Sequence, residues 1–392
     1  MNGMTRRQFL SSTLKVGAAG VLGTIEGGAL LSACGSAAPD LDPFPGGKFL
    51  GDIPFEGEGS VQLNVSTGEG LSGRRFLDHS TLTPETLVTS NENFYIRTLY
   101  PDQLKRNNPW RIAVNGLVQK PVDLSLDNLL PKATSMGIHL MECAGNDRFS
   151  RFGLLSTASW TGIPIFEALE KINILPQAAL VRISGFDEHS RPAHDSKPGA
   201  SWIFTKEQLE KSGAFLAIEM NDVPLSKDHG APIRLVVPGW YGCTCIKWVN
   251  EITLVADTES STSQMREFAS RTYQSGVPRL ARDFIAAVID QAAMPVRVEK
   301  WSLDGKVIYR VVGILWGGVN AARSLAIRFN NHTNYVDVDA YEHQTNGTWS
   351  LWTHIWKPDR AGLYRIQLKI DNQSAPTRRL DAGYYVRTVK VG

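Results

Sequence analysis

Met141-Glu142-Cys143-Ala144-Gly145-Asn146-Asp147-Arg148 closes an apolar run that begins at Gly137. The run reads as a strand, and it delivers Cys143 at its end. The Ala-Gly-Asn that follows belongs on a loop where backbone approaches a ligand closely. Arg148 lies a few residues on, and a guanidinium beside a thiol favours the thiolate. Residue chemistry leaves three roles open for Cys143: nucleophile, soft-metal ligand, or inert core thiol.

Around this segment, residues ~61–290 mix short strands with short helices. Ala178 to Ser184, Ala214 to Met220, Ile233 to Val237 and Ile246 to Val255 read as strands, the last two joined by a turn at Pro238-Gly239. Pro164 to Ile172 carries Ile165, Phe166, Leu169 and Ile172 at helical spacing, with proline in the first turn. A polar connection and a helical patch fill Thr258 to Ile289. From Ala292 the texture changes to short alternating runs: Val296 to Val298, Ile308 to Val312, Leu325 to Arg328, Val336 to Val338, Trp349 to Trp356 and Leu363 to Ile370. Turn residues separate them, the signature of an antiparallel sandwich. The expected fold class is α+β: a mixed α/β domain over 61–290, then an immunoglobulin-like β-sandwich over 291–392.

The 392 residues suffice for two or three domains with a real core. Charged residues at 20%, with 35 Gly and 20 Pro, exclude disorder, coiled coil and collagen. Four Cys cannot staple a chain of this length. The net charge of +2 argues against nucleic acid as a partner. Residues 1–33 hold Arg6, Arg7 and Lys15 against Glu26, so the remainder has 38 basic and 38 acidic side chains. Any affinity for anions must therefore come from a local pocket.

The first residues read as an address. Thr5-Arg6-Arg7-Gln8-Phe9-Leu10 is a twin-arginine pattern; a mild apolar stretch from Val16 to Leu31 follows, too weak for a membrane span. Leu31-Ser32-Ala33-Cys34 resembles a bacterial lipobox. The expectation is a signal peptide over 1–33, export in the folded state, lipidation of Cys34 and a membrane-anchored lipoprotein on the periplasmic side of a cell envelope. Export of a folded chain suits one that must first acquire a complex cofactor. Residues 34–60, rich in Gly, Pro and acids without sustained period, read as a tether.

A second segment narrows the roles of Cys143. It runs Asp228-His229-Gly230-Ala231-Pro232-Ile233-Arg234, then Pro238-Gly239, then Cys243-Thr244-Cys245-Ile246-Lys247-Trp248. With Cys-Ala-Gly-Asn-x-Arg, it resembles the sulfite oxidase family of molybdopterin enzymes, from Phe94-Tyr95-Ile96-Arg97 to the C-terminal sandwich. The resemblance implies an oxidoreductase with a molybdenum-molybdopterin cofactor. Cys143 would supply the one protein thiolate to the metal. Arg97 and Arg148 would line a pocket for a small oxyanion. Asp187, His229, Arg234, Cys245, Ile246 and Lys247 would hold the pterin and its phosphate, and Tyr273 would be an active-site tyrosine. Two departures stand out: Leu99 where relatives often carry His, and the pair Cys243 and Cys245, read either as quiet thiols or as a strained redox pair. Tyr384-Tyr385-Val386-Arg387 is a candidate to bring an arginine to the pocket, and the sandwich a candidate dimerisation domain.

The function implied is oxidation of sulfite to sulfate, with electrons leaving to an external acceptor such as a cytochrome. No Cys-x-x-Cys-His occurs, so no haem is expected. Two alternatives compete: a reductase of S-oxides, N-oxides or nitrate on the same cofactor, and a non-enzymatic envelope lipoprotein.

Overall fold

The computed structural model describes residues 43–100, 109–186, 199–268, 285–318, 322, 324–331, 333–341, 348–371 and 377–392. The twin-arginine segment, Cys34, Asp187 and Tyr273 lie outside the described residues. The architecture is α+β, with short helices among four larger sheets.

Two of these sheets lie outside the sandwich, and the second of them carries the cysteine segment. One orders Ser201–Thr205, Leu180–Gly185, Val249–Val255, Arg111–Gly116 and Val122–Ser125. Its Val249–Val255/Arg111–Gly116 pair is parallel, which requires the long connection the chain makes between them. The other orders Val223–Pro224, Phe215–Met220, Leu155–Pro164 and Thr134–Glu142, with Arg234–Val236 paired to Phe215–Met220. Thr134–Glu142 begins exposed and ends in buried Leu140, Met141 and Glu142, so it carries Cys143 into the interior. The segments Ile233 to Val237 and Ile246 to Val255 are linked by two backbone hydrogen bonds, Leu235 N–H to Ile246 O at 2.8 Å and Val249 N–H to Ile233 O at 3.1 Å. Pro238-Gly239 turns the chain, but the strands it separates join different sheets. The expected helix from Pro164 shortens to Ile165–Ala168, although Leu169 and Ile172 are still buried.

The remaining two large sheets form the sandwich. One orders Lys48–Ile53, Ala292–Leu303, Lys306–Trp316, Trp349–Trp356 and Ala340–Tyr341; the other orders Val336–Asp337, Ser324–Phe329, Gly362–Asp371, Arg387–Val391 and Phe55–Glu56. Alternation places Leu325, Ile327 and Phe329 inward on Ser324–Phe329. Across the layers Phe329 stacks on Trp356 at 4.1 Å, and Tyr364 meets the edge of Trp356 at 4.8 Å. Within the expected tether over 34–60, residues 48–56 are corrected here. Lys48–Ile53 pairs with Ala292–Leu303, and Phe55–Glu56 pairs with Arg387–Val391, so one short stretch edges both sheets. Its period was hidden because the pairing shifts register between Phe49 and Gly51, with Gly51 at φ +125°, and because edge strands bury little.

Candidate functional site

Cys143 follows the last strand residue and is 6% exposed. Its loop folds around the sulfur. Cys143 N–H donates to Leu154 O at 2.9 Å, Asn146 N–H donates to Cys143 O at 3.0 Å, and Gly145 N–H points at Cys143 Sγ at 3.4 Å. Asn146 Oδ1 ties the far side by accepting from Leu154 N–H at 3.1 Å. Burial pushes the Cys143 thiol up; the Gly145 N–H and the guanidiniums of Arg97 and Arg74 oppose that rise. A bound cation would complete the stabilisation of the thiolate.

Cys143 opens onto a cleft whose walls include Tyr95, Arg97, His229, Arg234, Cys245 and Lys247. Ile246 and Cys243 also face it. Of the candidates within the described residues, all but Arg148 and Arg387 converge here. Gly230, at φ +105°, lets two cations approach: a Cβ there would lie 3.0 Å from Arg234 Cβ and 3.1 Å from Lys247 Cβ.

Each cation is held by neutral groups. Arg97 Nη1 donates to Leu71 O at 2.7 Å and Thr98 Oγ1 at 3.2 Å. Lys247 Nζ donates to Asp228 O at 2.9 Å and to Thr98 O, and lies 4.2 Å from the Trp248 ring centre. Arg234 is 4% exposed and donates to His229 O at 3.1 Å and Cys245 O at 3.3 Å. Its Nε has no partner, and among the described residues no carboxylate pairs with it. A buried guanidinium without a counter-charge is expensive. It fits a site built to receive an anion. His229 donates a ring N–H to Asn91 O at 3.1 Å; burial chiefly, then Arg234 and Lys247, hold its pKa down to about 3. It is neutral at physiological pH and offers a hydrogen bond rather than a charge.

Arg148 is a correction. It does not line the cleft. Asp147 caps a short turn by accepting from Ser150 N–H at 2.9 Å, and Arg151 and Phe152 adopt left-handed backbone. That turn carries the Arg148 side chain away, onto the rings of Phe149 at 5.1 Å and Tyr384 at 5.9 Å. Arg387 is likewise taken up elsewhere, by Glu58. The guanidinium whose field reaches Cys143 alongside Arg97 is that of Arg74, which the sequence reading missed. The ribbon pairing Arg74–Arg75 with Ile96–Arg97 sets Arg74 opposite Arg97. Tyr95, Gln264 and Thr98 in the walls were missed too; the only signal was that Tyr95 and Thr98 lie within two residues of Arg97. Leu99 packs against Gly73, where a Cβ would meet its Cγ at 2.4 Å. Cys243 and Cys245 are both buried, and Cys245 Sγ accepts from Val237 N–H at 3.4 Å.

Among the described residues no group of three or more His, Cys, Asp and Glu could cage a metal. A metal at Cys143 would therefore have that thiolate as its one protein ligand there, the remaining donors coming from a non-protein group. Three cations and a soft thiol in one cleft match a phosphate-bearing dithiolene pterin.

The comparisons agree. Residues 99–263 match the oxidoreductase molybdopterin binding domain. Mitochondrial sulfite oxidase of Drosophila melanogaster is 27% identical over 353 residues, covering 79% of this chain and 56% of that protein. The human mitochondrial sulfite oxidase is 26% identical over 272 residues, 61% of this chain and 49% of that protein. The NADPH nitrate reductase of Aspergillus niger is 30% identical over 191 residues, 45% of this chain and 22% of that protein. The chain thus spans about half the length of the sulfite oxidases it matches. The crystal structure of the sulfane dehydrogenase SoxCD from Paracoccus pantotrophus shares the fold, with TM-score 0.60 and 18% identity over 94% of this chain and 96% of that one. Residues 99–263 are an oxidoreductase molybdopterin binding domain, and the chain is similar to the sulfite oxidases beyond it.

Proposed function

We infer that the enzyme oxidises sulfite to sulfate. The observation that carries this reading is the cleft itself: a buried Cys143 faces Arg97 across a space whose other cations are Arg234 and Lys247. The overall reaction is sulfite plus water to sulfate, two electrons and two protons. The bound cofactor would supply oxo transfer and hold the two electrons. The chain's own residues bind and orient. Arg97, fixed in advance by Leu71 O and Thr98 Oγ1, presents its remaining N–H groups to a small oxyanion. Cys143 would ligate the metal, with the Gly145 N–H and two guanidiniums favouring its ionised form. Arg234, Lys247 and neutral His229 would hold the pterin and its phosphate. The two electrons would leave singly to an external acceptor such as a cytochrome.

The reductase reading has one observation in its favour, the similarity to nitrate reductases. Nitrate is also a small anion, so the cleft's charge suits either substrate. The deciding experiment assays the molybdenum-loaded enzyme with sulfite and ferricyanide or cytochrome c, against nitrate and a sulfoxide with a low-potential dye. Sulfite turnover supports the proposal; turnover confined to nitrate or the sulfoxide overturns it. The N-terminal motifs support a lipid-anchored enzyme at the cell envelope, and the sandwich supports a homodimer as the functional unit. Among the described residues no helix is long and apolar enough to cross a membrane.

A further inference from the structure

Glu142, the residue before Cys143, is 1% exposed and points away from the cleft into the sandwich side of the molecule. Arg378, from the segment leading to the last strand, meets it. Arg378 Nη1 donates to Glu142 Oε1 at 2.8 Å and Nη2 to Oε2 at 2.7 Å, a bidentate pair with side chains 3% and 2% exposed. Trp316 Nε1 adds a donor to Glu142 Oε2 at 2.9 Å. The same guanidinium reaches a second piece of the cleft wall. Its Nη2 donates to Tyr241 OH at 2.7 Å, and Tyr241 immediately precedes the wall residues Gly242 and Cys243. Tyr385 OH accepts from Nη1 and completes the cage. The Arg378 backbone is itself fixed, its N–H donating to Gln291 O at 2.9 Å.

We propose that Arg378 is a positioning residue, which locks Glu142 and Tyr241 together from the sandwich side and so sets the direction of Cys143 Sγ toward the cofactor. The geometry makes this an economical arrangement. Cys143 and Gly242 belong to segments about a hundred residues apart, and their walls must stay in register for a metal ligand and a pterin site to face each other. A bidentate ion pair resists rotation where a single contact does not. Because the carboxylate sits next in the chain to Cys143, a tilt of Glu142 moves the Cys143 Cα–Cβ bond directly. Gly242 leaves no slack: a Cβ there would lie 2.5 Å from the Tyr95 hydroxyl. Arg378 touches neither substrate nor cofactor on this view.

The inference rests on Cys143 being the metal ligand, and the test separates the two claims. Molybdenum content, the Mo(V) electron paramagnetic resonance signal of the reduced enzyme, and turnover are measured for Arg378→Gln, Arg378→Lys, Tyr241→Phe and Cys143→Ser. The Mo(V) signal reports the orientation of the thiolate, which a merely structural role would not move. The expected result for Arg378→Gln is molybdenum retained, a shifted or split signal, and kcat lowered at least tenfold; Arg378→Lys, keeping the charge but not the fork, restores the signal only in part. Tyr241→Phe, which removes one acceptor and buries no charge, gives a smaller shift and decides the matter should Arg378→Gln fail to fold. A parental signal with kcat within twofold, in folded Arg378→Gln or otherwise in Tyr241→Phe, overturns the proposal. Cys143→Ser with parental signal and turnover instead removes the ligand assignment on which it stands.

Discussion

Replacing Arg97 by Gln tests the anion site without disturbing the fold. Arg97 is half-buried, and its Nη1 is engaged by two neutral oxygens, Leu71 O and Thr98 Oγ1. Glutamine retains a donor for one of them. What is lost is the charge and the remaining N–H groups facing the cleft. A charge-assisted hydrogen bond contributes about 1.5–3 kcal/mol, which converts to roughly 10- to 150-fold in kcat/KM. The Coulomb attraction of one guanidinium for an anion at ~4 Å, about 4 kcal/mol at an effective dielectric of ~20, sets the ceiling. The loss should fall on KM for sulfite, and the inhibition constant of the product sulfate should rise by a similar factor. Both are read by steady-state assay with ferricyanide at constant ionic strength, normalised to molybdenum content. Arg148→Gln is the paired control. Its half-buried side chain stacks on Phe149 and Tyr384 outside the cleft, so kcat/KM should change by no more than about twofold, ~0.4 kcal/mol. If Arg97→Gln lowers kcat while KM and the sulfate constant stay put, or if Arg148→Gln is the variant that weakens sulfate, the anion site has been misplaced.

Arg234→Met should leave the metal-free protein folded, because it removes a buried charge that no carboxylate among the described residues neutralises, yet lower molybdenum retained after purification; elemental analysis and thermal melts of the metal-free form check both halves, and undiminished molybdenum would refute the phosphate role. His79 is fully buried with its pKa held down to about 4 by desolvation, so the fold keeps it neutral while the unfolded chain takes up a proton below about 6.5. Its contribution is complete above pH ~6.5 and is lost as pH falls towards 4, by roughly 3 kcal/mol; His79→Phe should flatten that part of the urea-midpoint profile. Cys34→Ala should move the protein from the membrane to the soluble fraction of cells, and continued membrane association would refute lipid anchoring.

The strand ending at Cys143, the strands after Ala292 and the two linked motifs were legible because each depends on local pattern: an apolar run, alternation, or fixed spacing of functional side chains. The cleft was legible to the same degree. Arg97, His229, Arg234, Cys245, Ile246 and Lys247 lie within two short segments, so placing the segments places the residues. Arg148 was misjudged because nearness along the chain to Cys143 says nothing about which way the turn after Asn146 sends a long side chain; Asp147 and the left-handed Arg151 and Phe152 decide that. Arg74 had no periodic or motif signal, and it matters only because its ribbon pairs it with Arg97.

The amino-acid sequence by itself determined the class of this enzyme, the thiol that faces its cleft and most of the cations beside it, since these are properties of residue type and short-range order. Only the tertiary structure decided which guanidiniums share that cleft and which are drawn off, Arg148 to aromatic rings and Arg387 to Glu58. It alone decided that 48–56 complete the sandwich rather than tether it, and that Arg378 grips Glu142 from 236 residues away. The physical reason is common to all of these. A buried charge takes its partner from whatever the packed chain brings within reach, and that reach is set by distance in space, which sequence separation does not encode.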